Sequence, residues 1–225
     1  MTTIEKAKKL AAEKALSFVK PGMQIGLGTG STVKYFLEAL GHRCLEGLNI
    51  TGIPTSIRSE ELAKKHHIPI SRNFTEIDLT IDGADAVDPS LNLIKGRGGA
   101  LLREKIIAYS SKQMIVIVDD SKMVSDFSGE SLPLEVLPFG WESTKYAIEK
   151  HGFTSNLRTE NGKALVSDNG NYTIDLNLPS ELKDLQSFQQ LLGRIPGILE
   201  TGLFLNFATK VICGSASGKV TEIKG

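Results

Sequence analysis

Met23-Gln24-Ile25-Gly26-Leu27-Gly28-Thr29-Gly30-Ser31-Thr32-Val33 compresses three elements into one short stretch. Residues 23–27 read as an apolar strand and Gly28-Thr29-Gly30 as a turn. Ser31 and Thr32 offer hydroxyls for an N-cap ahead of Tyr35, Phe36 and Leu40. Strand, glycine turn and helix in direct succession open a βαβ unit. Working outward, Ile4, Ala7, Ala11, Ala15 and Phe18 recur at helical spacing until Pro21-Gly22, so a helix of about four turns precedes the strand. On the other side, strands near 48–53, 78–82 and 114–118 alternate with helices over 56–66 and 99–110. This alternation predicts an α/β fold, a Rossmann-like, largely parallel sheet with both faces covered.

Past about residue 132 the rhythm changes. A strand up to 138, a helix over 142–150, strands around 153–158 and 172–176, a helix over 181–192 and a strand near 198–204 follow one another. The order β-α-β-β-α-β is the split arrangement of ferredoxin-like α+β domains. The expected organisation is therefore a main domain, 1–130 plus 206–225, with a smaller α+β domain over 131–205 inserted before closing strands at 211–214 and 220–223.

Composition narrows the partners. Lys and Arg number 26 and Asp and Glu 26, so no global positive field draws the chain to nucleic acid or to an anionic membrane. An anionic ligand must be met locally. No apolar run approaches the ~20 residues of a membrane span, and the charged stretch 5–14 lacks the apolar centre of a secretory signal. Two cysteines, Cys44 and Cys213, make no disulfide framework. These features lead us to expect a cytoplasmic protein with neither membrane nor nucleic-acid partners.

Ligands of open α/β sheets sit beyond the carboxyl ends of the strands, which singles out four segments. In the first, 26–32, backbone N–H groups at a helix N-terminus suit a phosphate, a plain capped glycine turn being the alternative. Ser31 stands where a dinucleotide fingerprint wants glycine, and Lys34 comes too late for a triphosphate loop. In the second, Asp82-Gly83-Ala84-Asp85 reads as an ordinary strand-end turn or as a pair of carboxylates aimed into the crevice. Third comes Lys95-Gly96-Arg97-Gly98-Gly99, a cation beside flexible backbone donors, leading into the helix that carries Glu104. Such a cation suits an oxyanion, and a shielded carboxylate suits a general base; a surface pairing of Glu104 with Arg103 or Lys105 competes. The fourth, Asp119-Asp120-Ser121-Lys122, supplies Lys122 as a second phosphate cation or a solvated side chain. His66 and His67 have no chelating partner one helical turn away, so no metal site is expected.

These segments, taken in order, resemble ribose-5-phosphate isomerases of the A type over nearly the whole chain. The resemblance is carried by Gly28-Thr29-Gly30-Ser31-Thr32, Asp82-Gly83-Ala84-Asp85, Leu93-Ile94-Lys95-Gly96 and Leu102-Arg103-Glu104-Lys105. The run Pro133 to Trp141, Ile195-Pro196-Gly197 and Gly202-Leu203-Phe204 add to it. It implies cofactor-free interconversion of D-ribose 5-phosphate and D-ribulose 5-phosphate, an aldose-ketose isomerisation of the pentose phosphate pathway, by a homodimer or larger homo-oligomer. By the same resemblance Glu104 is the proton acceptor, with Asp82, Asp85 and Lys95 assisting. Around the sugar phosphate it places Lys8, Thr29, Gly30, Ser31, Thr32, Gly83, Ala84, Gly96, Arg97, Gly98 and Lys122. Arg97 and Ala86 depart from the usual glycine and acid at their positions. Two rival readings are a sugar-phosphate-binding regulatory domain and a carboxylate-nucleophile acyl transferase.

Overall fold

The computed structural model describes residues 2–180, 182 and 184–225. Helix α1 (Thr3–Leu16) starts at a capping box in which Thr2 and Glu5 bond each other's backbone N–H. It presents buried Ala7, Ala11, Ala12 and Ala15, whose small side chains let it lie close on the sheet. Then come β1 (Gln24–Leu27), α2 (Ser31–Leu45), β2 (Thr51–Pro54), α3 (Ile57–Lys65) and β3 (Leu79–Asp82). Two short strands, β4 (Ala86–Val87) and β5 (Leu93–Ile94), precede α4 (Leu101–Tyr109) and β6 (Met114–Asp119). The chain continues through β7 (Ser131–Val136), α5 (Trp141–Lys150), β8 (Ser155–Leu157) and a small hairpin, β9 (Thr159–Glu160) and β10 (Lys163–Ala164). It ends with β11 (Tyr172–Asn177), α6 (Leu185–Leu192), β12 (Ile198–Thr201), β13 (Leu203–Phe204), β14 (Lys210–Gly214) and β15 (Val220–Lys224).

The main sheet has the order β15-β14-β6-β3-β1-β2, parallel except for the antiparallel edge strand β15. Its interior strands are buried along their length, as the apolar run of β6 required. Because β2 lies on one side of β1 and β3 on the other, strand order reverses at β1, and a crevice opens beyond the ends of β1 and β3. A four-stranded antiparallel sheet, β12-β7-β11-β8, carries α5 and α6 and has its own core of Leu134, Ile148, Ile174, Leu176, Phe188 and Leu192. That strand order is the ferredoxin-like arrangement expected from the β-α-β-β-α-β pattern.

Three local expectations change. The single strand near 198–204 is two strands in two sheets: β12 pairs with β7, whereas β13 pairs with β5 in a third sheet, β13-β5-β4. Gly202 is the joint. Its N–H donates to Pro133 O and its carbonyl accepts from Lys95 N, and a Cβ there would stand 2.1 Å from Lys95 O. Two-residue strands such as β4 and β5 are too short to show a period. The helix expected over 181–192 is seen from Leu185, after an Asp184 N-cap; Glu181 lies outside the described residues. Finally, no side chain caps α2: its N-cap is Gly30, and Ser31 opens the first turn.

Gly202→Ala is expected to cost about 2 kcal/mol by forcing two backbones apart, which lowers Tm by roughly 4–8 °C for a chain of this size; calorimetry checks it.

Candidate active site

Beyond the ends of β1 and β3, a cavity of about 130 Å³ is lined by thirteen residues: Lys8, Thr29 to Thr32, Gly83 to Asp85, Lys95, Gly96, Gly98, Glu104 and Lys122. Every one was singled out in the sequence. Two others are set differently. Asp82 lies fully buried behind the wall, and Arg97 turns its side chain outward to Glu130, leaving only its N–H in the site, on Asp85 Oδ2 at 2.9 Å. The arginine therefore replaces a glycine without filling the cavity.

The electrostatic centre is the Lys95 ammonium, 2% exposed. It donates to Gly83 O at 2.6 Å and lies 3.1 Å from Asp82 Oδ2 and 3.4 Å from Glu104 Oε1. Burial opposes its charge, but Asp82, Glu104 and Asp85 together more than reverse that and hold it protonated. Asp82 is fixed from the other side, its Oδ1 accepting from Thr29 N at 3.0 Å and Gly83 N at 2.7 Å. Room for this contact comes from Gly28, where a Cβ would stand 2.2 Å from Asp82 Oδ1.

One cation serves two buried carboxylates. Burial raises the proton affinity of both, against the pull of Lys95. Asp82 Oδ1 keeps two amide donors, while Asp82 Oδ2 and Glu104 Oε2 are both buried without a hydrogen-bond partner, each carboxyl within the ammonium's pull. Burial pushes the Glu104 carboxyl up to about 8, against the pull of Lys95 and with Asp82 and Asp85 adding to the rise. The surface pairing of Glu104 with its neighbours does not occur. Arg103 reaches Asn169 Oδ1 and Asp168 O, each at 2.7 Å, and Lys105 reaches Glu200 Oε1, Thr201 O and Leu203 O. With its two flanking cations anchored on either side, α4 cannot roll Glu104 away from Lys95.

The opposite wall is built for an anion. The first N–H groups of α2 have no side-chain acceptor, Ser31 Oγ receives Lys8 Nζ at 2.9 Å, and Lys122 follows the end of β6. Sequence reading missed the support beneath this wall. Thr29 Oγ1 sits among the hydroxyls of Thr55, Ser56 and Ser59 at 2.7–2.9 Å, a buried knot tying β1 to the start of α3. The signal was Thr55-Ser56 directly after β2, at another strand end of the same crevice. Among the described residues no group of three or more His, Cys, Asp and Glu is placed to hold a metal ion.

A larger cavity, about 530 Å³, opens on a neighbouring flank of α4. Its wall is mostly apolar, with Ile53, Phe74, Ile106 and Ile107, and its charges are already paired, Arg72 with Glu60 and Arg103 with Asp168. The buried ion pairs of Lys95 lie at the smaller one.

A buried cation between two carboxylates, facing an uncapped helix N-terminus, suits a phosphorylated substrate that loses and regains a proton. Residues 51–218 match the family model of ribose 5-phosphate isomerase A, also called phosphoriboisomerase A. The chain belongs to this family. The ribose-5-phosphate isomerase A of Bacillus mycoides (strain KBAB4) is 48% identical over 213 residues, 94% of this chain and 96% of that one. Among solved structures, a D-ribose-5-phosphate isomerase in complex with phospho-erythronic acid superposes with a TM-score of 0.94 at 40% identity, both chains covered completely. The ribose 5-phosphate isomerase of Plasmodium falciparum gives 0.94 at 36%, with 99% of each chain covered. The likeness thus extends over the main sheet and the smaller ones alike.

A carboxyl raised from its ordinary value near 4.5 to about 8 keeps, in the folded protein, a proton that the unfolded chain releases. Stability from this group is therefore lost as pH rises from about 4.5 to about 8. Glu104→Gln is expected to melt higher than the parent protein above pH 8, with the difference closing toward pH 5, in thermal unfolding across that range.

Proposed function

We propose that this chain interconverts D-ribose 5-phosphate and D-ribulose 5-phosphate through an enediolate, with Glu104 as the base. The observation that carries this reading is the Lys95 ammonium held between Asp82 and Glu104 on the floor of a cavity that opens onto the N-terminus of α2. Ionised Glu104 takes the proton from C2 of the open-chain aldose and returns it to C1. As negative charge passes from carboxylate to substrate oxygens, the ammonium already in place stabilises it without reorganising. Asp82 is tied to Lys95 and two amides behind the cavity wall, so the hydroxyl protons of ring opening fall to Asp85, which lines the cavity. The phosphate sits among Ser31, Thr32, Lys8 and Lys122. Its binding energy, remote from the bonds that change, positions C1 and C2.

This reading extends to a cytoplasmic enzyme of the pentose phosphate pathway, working as a homodimer or larger assembly. Exposed Tyr109 and Ile106, one helical turn apart on α4, support an assembled state. Neither a regulatory domain nor an acyl transferase is favoured, since the relatives that span this whole chain are named as isomerases.

Turnover of ribose 5-phosphate with no added cofactor is the direct test. Glu104→Gln should lower kcat by on the order of 10²–10⁴ with little change in phosphate affinity, and a variant keeping more than about a third of parent kcat would sink the assignment. In the parent enzyme, kcat/KM should climb with pH toward a plateau above about 8, following ionisation of Glu104.

In heavy water, a proton carried by a carboxylate exchanges with solvent, so deuterium should enter C1 of ribulose 5-phosphate in part of the product. A direct hydride shift leaves C1 free of deuterium over many turnovers. Mass spectrometry of product from a single-turnover reaction separates the two.

A further inference from the structure

Arg158 lies between β8 and β9, in the smaller sheet's half of the chain, and bridges to the loop that follows Lys95. Its guanidinium holds both oxygens of Asp175 on β11, with Nε 2.8 Å from Oδ2 and Nη2 on Oδ1. Nη1 donates to Gly96 O at 2.9 Å and to Arg97 O at 3.1 Å. The residue itself is anchored, with its N–H on Thr173 O and its carbonyl accepting from Leu165 N. A guanidinium bound on one edge by a carboxylate presents its remaining donors in a fixed plane.

Within a trans peptide the C=O and the N–H point in opposite directions. Arg158 draws the carbonyls of two successive peptides to one side of the loop. In the first, the opposite N–H, that of Arg97, lands on Asp85 Oδ2 at 2.9 Å. In the second, the opposite N–H belongs to Gly98, which lines the substrate cavity and whose N–H has no protein acceptor among the described residues. We infer that Arg158, locked by Asp175, is a positioning residue that orients this loop so that the Gly98 N–H, together with the Lys95 ammonium, meets the oxygen on which charge develops. Arg158 itself never touches the substrate.

The inference rests on the enediolate reading, and the two are separated by what each measurement reports. Arg158→Gln is expected to lower kcat on the order of 10–100-fold while KM and inhibition by inorganic phosphate hold, since a misaimed donor costs transition-state binding and leaves the phosphate wall alone. Affinity for phospho-erythronic acid, whose carboxylate resembles the two oxygens of an enediolate, should fall by a similar factor. Arg158→Lys keeps the charge, but a single ammonium cannot span Asp175 and two carbonyls, so it should recover only part of kcat. Asp175→Asn should follow Arg158→Gln.

An Arg158→Gln enzyme with kcat and phospho-erythronic acid affinity within about threefold of the parent overturns the assignment. Equal weakening of phosphate and phospho-erythronic acid overturns it too, because that marks a general loosening. If Arg158→Gln does not fold, Arg158→Lys and Asp175→Asn carry the test; loss of phosphate inhibition in all three makes the pair a folding determinant and overturns the role. Glu104→Gln in the same assay reports on the base alone: if it stays active the enediolate reading falls, while phospho-erythronic acid binding to the Arg158 variants still reports on the loop.

Discussion

Burying one ammonium between two carboxylates is the constraint around which the rest of this structure is arranged. An isolated charge in such a place costs several kcal/mol, so Lys95 persists there only because Asp82, Glu104 and Gly83 O surround it. The same burial raises the proton affinity of both carboxyls, that of Glu104 to about 8. Gly28 admits Asp82 from the β1 side, and Gly202 brings the backbone at the β12–β13 joint against Lys95. A methyl group at either glycine would move a member of the buried group.

The smaller sheet anchors the elements around the buried charges rather than supplying those charges. Arg103 reaches the 168–169 turn, Lys105 reaches Glu200, Thr201 and Leu203, and Arg158 holds Gly96 and Arg97. The 168–169 turn is itself pinned: Asp168 Oδ2 accepts from Ile57 N at 2.7 Å, and Asn169 donates to buried Glu135. These bonds tie α3, α4 and the Lys95 loop to one set of anchors. The anion wall is held by Lys8 of α1, the start of α2, Lys122 after β6 and the hydroxyl knot that ties Thr29 to the start of α3. Anion-facing groups and the buried charges are thus different side chains, which is why a kcat effect and a KM effect should separate between them.

Much of this was legible in the chain itself. Alternating apolar strands and amphipathic helices dictate a layered α/β sheet whatever the details of packing, because each element has only one way to bury its apolar face. The rule that ligands meet the carboxyl ends of such strands then led to Gly28–Thr32, Asp82–Asp85, Lys95–Gly98 and Lys122 by local inspection. The β-α-β-β-α-β order likewise anticipated the β12-β7-β11-β8 sheet.

Tertiary structure alone decided which charges are buried and what each side chain faces. Glu104 sits among Arg103 and Lys105 in the sequence, and a surface pairing was the natural local outcome; long-range anchors turn both cations away and leave the carboxylate against Lys95. Arg97 stands in the loop after Lys95, yet its side chain faces away from the cavity, because Glu130, thirty-three residues on, takes it. The hydroxyl knot under Thr29 and the Arg158–Asp175 clamp join segments distant in the chain, and no period or spacing encodes such contacts. Local sequence sets backbone form through near-neighbour forces, whereas proton affinity and side-chain direction depend on burial and on partners that only folding brings within a few ångströms.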